Sequence, residues 1–121
     1  MKKLLGILVL SLLFTTSSYS DSDCSSCADE AWDAGRDAKR AYYSSDLDNC
    51  QYYARKAYRH FSYAESYASD CNCSEAESEA YDGYRDARRA YNSSDLDSCQ
   101  YYARKAKRHA SWTEDYANGC D

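Results

Sequence analysis

Four cysteines provide the most reactive side chains in the sequence. Cys24 and Cys27 form a C-x-x-C pair, and such a pair at a helix start can act in thiol redox exchange. If Cys71 and Cys73 lie at the same end of the fold, the four sulfurs could instead hold zinc. An oxidising compartment would pair the cysteines as disulfides. The alternatives are therefore a stapled module, favoured by the signs of export described below, and a thiol-redox or metal-binding envelope protein.

The two histidines, His60 and His109, occupy matching places in a repeated sequence. On a helical wheel, His60 lies with Tyr53 and Tyr67 beside an apolar seam, and His109 has the corresponding neighbours. A histidine without an orienting partner and a nucleophile is a poor candidate for catalysis. We interpret both as half-buried contacts between two helical hairpins, and a metal ion shared by both is the alternative.

A third set of side chains could bind a charged ligand. The stretch SSDLDNCQYYARKA at 44–57 returns at 93–106 with a single exchange. Its outward positions combine tyrosine with arginine and lysine, a combination that suits anionic partners. We name these residues the basic stripe: Tyr52, Arg55, Lys56, Arg59 and Tyr63, with the copies Tyr101, Arg104, Lys105, Arg108 and Trp112. The alternative is a solvated helix face that has changed little since a recent duplication.

The duplication organises the chain. With an offset of 49, residues 24–71 match residues 73–120 at 31 of 48 positions. Tandem helical units of this length are expected to stack, because one unit alone cannot bury its apolar face. We predict one all-α domain over residues 21–121, made of two antiparallel hairpins that form a four-helix bundle or a short solenoid.

The apolar residues recur at spacings of three and four in every segment, which predicts helices. The predicted spans are 26–43, 46–69, 74–92 and 95–118. Alanine and cysteine dominate the seams that face the core. Boxes of the S-x-x-D/E type predict N-caps at Ser45, Ser74 and Ser94. The pairs formed by Asp33, Arg36, Asp37 and Arg40 are interpreted as surface ion pairs of the first helix.

Antiparallel hairpins predict which cysteines meet. The start of each first helix lies beside the end of the second, so Cys24 pairs with Cys71 and Cys73 with Cys120. Cys50 and Cys99 meet at the opposite end and join the two hairpins. Cys27 has no counterpart, because its copy is Ala76. It is predicted to stay a free thiol or to link two molecules as a dimer.

The first 20 residues have the layout of a signal peptide. Lys2 and Lys3 precede an apolar run from Leu4 to Phe14, and small polar residues follow. Cleavage after Ser20 would leave 13 Lys+Arg against 20 Asp+Glu, a net charge of −7. We therefore predict a secreted or periplasmic protein without stable membrane insertion after cleavage. Its acidity makes nucleic acid an unfavourable partner.

The sequence favours binding or structure over catalysis. It shows no recognisable Ser/His/Asp set and no phosphate-binding loop. Disulfide formation can account for every cysteine pattern that resembles a metal site. We predict that the protein is not an enzyme and needs no cofactor. The predicted function is that of a disulfide-stabilised module that recognises an anionic glycan, a peptide or a protein through the basic stripe.

Overall fold

The computed structural model describes residues 24–120, which form four helices and no strand. The described part of helix α1 spans residues 24–42. Helices α2, α3 and α4 span Leu47–Asp70, Ser74–Tyr91 and Leu96–Gly119. They pack as a bundle. This confirms the predicted all-α class and the four-helix bundle, one of the two predicted arrangements. The predicted signal peptide, residues 1–20, lies outside the described residues.

The core is built almost entirely from alanine and cysteine. Most seam positions predicted from the three- and four-residue spacings are buried in all four helices, but Leu47, Leu96 and Cys71 are half-buried and Cys120 is exposed. They form three successive layers, one around the cysteines at each end and one around Phe61 in the middle. Small side chains let helices approach closely, but each contributes little buried apolar area. Such a core needs additional restraints.

Disulfides supply those restraints with the predicted pairing. Cys24 bonds Cys71, Cys73 bonds Cys120, and Cys50 bonds Cys99, with Cα–Cα distances of 5.4, 5.9 and 6.3 Å. The first two close each hairpin, and the third joins α2 to α4 at the opposite end. Disulfides of this kind persist in oxidising compartments, which indicates an extracytoplasmic setting. None of the helices within residues 24–120 combines the length and apolarity needed to cross a membrane.

The halves also exchange a matched pair of hydrogen bonds. The Gln51 side-chain amide donates to the carbonyl of Ser93, and Gln100 donates to that of Ser44, both at 2.8 Å. Each bond joins a helix of one half to the turn of the other. Together with Cys50–Cys99, they fix the two hairpins at the end of the bundle where both turns lie.

The helix caps differ from the prediction by one residue. The N-caps of α2 and α4 are Asp46 and Asp95, whose carboxylates accept from the N–H groups of Asn49 and Ser98 at 2.8 Å. The predicted Ser45 and Ser94 caps are therefore wrong. A carboxylate at the cap also gains from the helix dipole, which a hydroxyl does not.

The junction between the halves is tight. The predicted cap Ser74 is instead the first residue of α3, and Cys73 precedes it without a side-chain cap bond. Asn72 has φ 61°, in the left-handed region that asparagine tolerates better than most residues. The N–H of Cys73 donates to the carbonyl of Ala68 at 2.9 Å, which closes the end of α2. One left-handed residue thus reverses the chain between the hairpins.

Candidate functional site

An open groove of about 620 Å³ runs between α1 and α4. Ala31, Gly35 and Ala110 line its apolar part, and a Cβ atom built on Gly35 would lie 3.1 Å from the Cβ of Ala110. The remaining lining residues are Trp32, Arg36, Lys39, Arg104, Lys107, Arg108, Ser111 and Glu114. Helices that pack through such small residues can leave the longer flanking side chains to form walls. The result is a shallow channel with a floor of small residues and polar walls.

The matching interface on the other side of the bundle, between α2 and α3, is largely filled. Its cavity measures only about 220 Å³. With the offset of 49, Gly35 corresponds to Tyr84 and Lys107 to Tyr58, and those two tyrosine rings meet edge to face at 5.8 Å between centroids. Ala110 corresponds to Phe61, which is fully buried. Three aromatic rings close one interface, and their small or cationic counterparts leave the other open.

The groove is strongly cationic within an acidic chain. Five cationic side chains line it against the single carboxylate of Glu114, whereas the whole chain has a formal net charge of −5. Arg36 lies 3.5 Å from Asp33 and also 5.2 Å from the ring centroid of Trp32. Trp32 is 54% exposed beside the groove. A flat aromatic face therefore lies next to guanidinium groups that can pair with carboxylate or sulfate.

The filled interface has nearly the same charged residues. Arg55, Arg59 and Arg85 correspond to Arg104, Arg108 and Arg36 of the groove. Arg88, the counterpart of Lys39, donates to the Tyr84 hydroxyl at 3.0 Å, and this hydrogen bond is the main cause of a raised Arg88 pKa. Here the tyrosines engage cations that would otherwise face solvent. The two interfaces therefore differ in shape more than in arginine content.

The structure divides the basic stripe between these two interfaces. Arg104 and Arg108 line the groove, whereas Arg59 and Tyr63 line the small cavity. Lys56 and Lys105 are half-buried and lie over tyrosine rings, 5.6 Å from Tyr52 and 5.5 Å from Tyr101 respectively. The remaining stripe residues, Tyr52, Arg55, Tyr101 and Trp112, are exposed and line neither cavity. The basic stripe therefore does not form one continuous surface, because some of its residues line the groove and others line the small cavity.

Of the charged and aromatic residues that line the groove, only Arg104 and Arg108 belong to the predicted basic stripe, and Trp32, Arg36, Lys39 and Lys107 do not. Arg36 was assigned to a surface ion pair, which is present but lies on the groove wall. Lys107 is exposed, whereas its counterpart Tyr58 is half-buried between Tyr84 and Tyr91. The informative pattern was the joint divergence of Gly35/Tyr84 and Lys107/Tyr58, because these positions become neighbours only in the folded bundle.

The alternative of a redox or zinc site at Cys24, Cys27, Cys71 and Cys73 needs thiols that the structure does not provide. Cys24, Cys27, Cys71 and Cys73 do come together in one core layer, but three of them are in disulfides. Cys27 remains free and fully buried, and burial raises its pKa to about 11. A thiol that stays protonated at neutral pH reacts poorly. A dimer through Cys27 would require α1 to move away from the core.

The histidines contact helices of their own hairpins instead of forming the predicted contact between hairpins. His60 Nδ1 lies 2.7 Å from Glu30 Oε1 on α1, and His109 Nδ1 lies 2.7 Å from Glu79 Oε1 on α3. The far side of each ring faces a buried carboxylate, Asp37 or Asp86. The predicted pair of Asp37 with Arg40 is present at 3.8 Å, but Asp37 is buried and does not lie at the surface. The sequence could not show this, because Asp37 becomes buried only when α2 covers it.

No family model, no curated protein and no solved structure matches the chain. The disulfide-stapled helical domain is consistent with a structural or binding role.

Proposed function

We propose that this protein is an exported helical module that binds an acidic saccharide in the groove between α1 and α4, outside the cell or in the periplasm. The observation that carries the proposal is the opening of one of two similarly charged interfaces. Positions filled by Tyr58, Tyr84 and Phe61 on one side are Lys107, Gly35 and Ala110 on the other. This combination creates volume and adds a cation at the same place.

The size of the groove favours a small or segmental ligand over a protein surface. A volume of about 620 Å³ lies within the usual range for small-molecule sites. A standard protein–protein interface instead buries about 800 Å² on each partner over a broad area. A few sugar units therefore fit the observed opening better than a folded protein does.

The chemistry of the groove favours an anionic ring over a neutral one. Arg36, Arg104 and Arg108 can form charge-assisted hydrogen bonds with carboxylate or sulfate groups, and Lys39 and Lys107 add point charges. The exposed face of Trp32 offers an apolar platform for a sugar ring. A neutral sugar would leave most of these cations without partners.

The test is a calorimetric titration of the mature, oxidised protein with defined probes. These are a heparin-derived tetrasaccharide, trigalacturonate, the neutral cellotetraose and the acidic peptide hexaglutamate. We expect binding of at least one acidic saccharide, weakened as salt rises because the contacts are charged. Binding of cellotetraose at equal strength, binding of hexaglutamate alone, or no binding to any probe would contradict the proposal.

The other interface provides matched control variants. Arg104→Ala with Arg108→Ala should weaken saccharide binding about 10- to 100-fold, because each substitution removes a charge-assisted hydrogen bond to the ligand. Arg55→Ala with Arg59→Ala removes the same residue types from the same helical positions of α2. This second variant should bind as the wild type does. Equal losses in both would show nonspecific attraction to surface charge.

A further inference from the structure

A second cluster of polar side chains occurs twice, once within each hairpin, and none of its residues lines the groove. Glu30 and Asp33 on α1 meet His60 on α2, and the copy consists of Glu79, Asp82 and His109. In each set, one nitrogen or oxygen atom from each residue lies within 4.8 Å of the other two. All six residues are half-buried. Each set brings one imidazole and two carboxylates from two helices to a common point.

A buried carboxylate faces the opposite side of each imidazole. His60 Nε2 lies 3.7 Å from Asp37 Oδ2, and His109 Nε2 lies 3.3 Å from Asp86 Oδ2. Asp37 is fully buried, and neither of its oxygens has a hydrogen-bond partner among the described residues. Arg40 approaches its other oxygen only to 3.8 Å. A buried carboxylate without a hydrogen bond is costly, so a partner for it is expected.

This arrangement matches the way in which proteins hold a metal-binding histidine. One ring nitrogen ligates the ion, and the other donates its proton to a carboxylate that fixes the ring. Without an ion, the neutral ring of His60 donates its Nδ1 proton to the Glu30 carboxylate. An ion bound at Nδ1 would displace that proton to solvent, and the ring would take up one proton from solvent at Nε2. The ring would then stay neutral, and its Nε2–H would give the Asp37 carboxylate a donor.

The residues of this cluster are the same in both halves, whereas neighbouring residues differ. The four residue types, Glu, Asp, Asp and His, are identical in both halves. Neighbouring positions on the same helix differ: Trp32, Ala34 and Gly35 of α1 correspond to tyrosine, glycine and tyrosine in α3. Because nearby positions have diverged, recent duplication alone is a weaker explanation for the retained cluster.

We propose that each hairpin binds one divalent first-row transition ion, such as Zn²⁺, through Glu30, Asp33 and His60 in one half and Glu79, Asp82 and His109 in the other, with Asp37 and Asp86 as positioning residues. Imidazole selects such ions over Ca²⁺ and Mg²⁺, which prefer oxygen ligands. Ligand bonds of about 2.0–2.2 Å require the three donors to draw together. Asp33 can do so by leaving its exposed pair with Arg36, which spans 3.5 Å.

The experiment is a titration of the mature, disulfide-intact protein with ZnCl₂, followed by calorimetry and by equilibrium dialysis. We expect two zinc ions per chain and no comparable binding of CaCl₂ or MgCl₂. His60→Gln should leave one zinc ion, and His60→Gln with His109→Gln should leave none. Asp48→Asn with Asp97→Asn removes two exposed carboxylates elsewhere and should still bind two.

Two further variants keep the test decisive if the histidine variants fold poorly, which circular dichroism would reveal. Glu30→Gln with Glu79→Gln removes one ligand from each site and should abolish or strongly weaken zinc binding. Asp37→Asn with Asp86→Asn removes only the positioning groups, so two ions should still bind, but about 10- to 100-fold more weakly. Absence of zinc binding, or zinc binding unchanged in the histidine or Glu→Gln variants, would overturn the proposal and leave the clusters as ionic contacts between helices.

Discussion

At the scale of single residues, Phe61 and Gly83 fit together in the middle layer of the core. A Cβ atom built on Gly83 would lie 2.2 Å from Cε1 of Phe61, an impossible approach. In the other half, the same two positions are Ala110 and Ala34. One half therefore packs a large side chain against a glycine, and the other packs two alanines against each other. Both combinations fill the core between two neighbouring helices.

Gly83→Ala should therefore destabilise the protein although alanine is the better helix former. The gain of about 1 kcal/mol in helix propensity is outweighed by overpacking, which typically costs about 1–3 kcal/mol. Phe61→Ala alone should cost about 3–5 kcal/mol. Denaturant unfolding of the single and double variants measures these changes. The double variant recreates the Ala110/Ala34 combination, so it should be more stable than the sum of the single changes; simple additivity would contradict the packing account.

Cys27 supports a second prediction at this scale. Because burial raises its pKa to about 11, little thiolate exists at neutral pH, and its sulfur is shielded from reagents. A thiol-specific chromogenic reagent should react slowly with the native protein and faster as the pH rises toward 11. After unfolding in denaturant without reductant, it should find one thiol per chain. Rapid labelling of the native protein, or no thiol after unfolding, would contradict the assignment.

At the scale of helices, regular spacing made the architecture predictable. Alanine and cysteine at every third or fourth position identified the buried faces. The end of α1 and both ends of α2, α3 and α4 fall within one residue of the prediction. The burial of Asp37 and the groove at Gly35 were not predictable in this way. Both depend on which helix lies opposite, and local spacing carries no information about that. Asp37 also sits among residues whose charges follow a surface pattern.

The caps give a prediction at this scale. Asp46 accepts a backbone hydrogen bond at the start of α2, whereas its neighbour Ser45 is exposed outside the helix. Asp46→Ala should lower the free energy of unfolding by about 1 kcal/mol, a typical loss for an N-cap, and Asp95→Ala should do the same for α4. Ser45→Ala is the control and should change stability by less than about 0.5 kcal/mol. A larger effect of Ser45 than of Asp46 would restore the serine as the cap.

At the scale of the whole molecule, two similar halves enclose unequal interfaces. The pairing of α2 with α3 is filled by aromatic rings, and the pairing of α4 with α1 is open and cationic. One disulfide closes each hairpin at one end of the bundle, and the third joins the two hairpins at the other end. Because the helices are already held in place, ligand binding to this preformed groove costs little conformational entropy for ordering its walls.

The most direct test of this account follows backbone amide and tryptophan indole resonances by NMR while the mature protein is titrated with the heparin-derived tetrasaccharide or, if that does not bind, with trigalacturonate. The account predicts saturable shifts at Gly35, Ala110 and the Trp32 indole, which border the groove. It also predicts little change at Tyr58 and Tyr84, which fill the opposite interface. Equal shifts on both sides of the bundle, or shifts confined to the α2–α3 side, would contradict it.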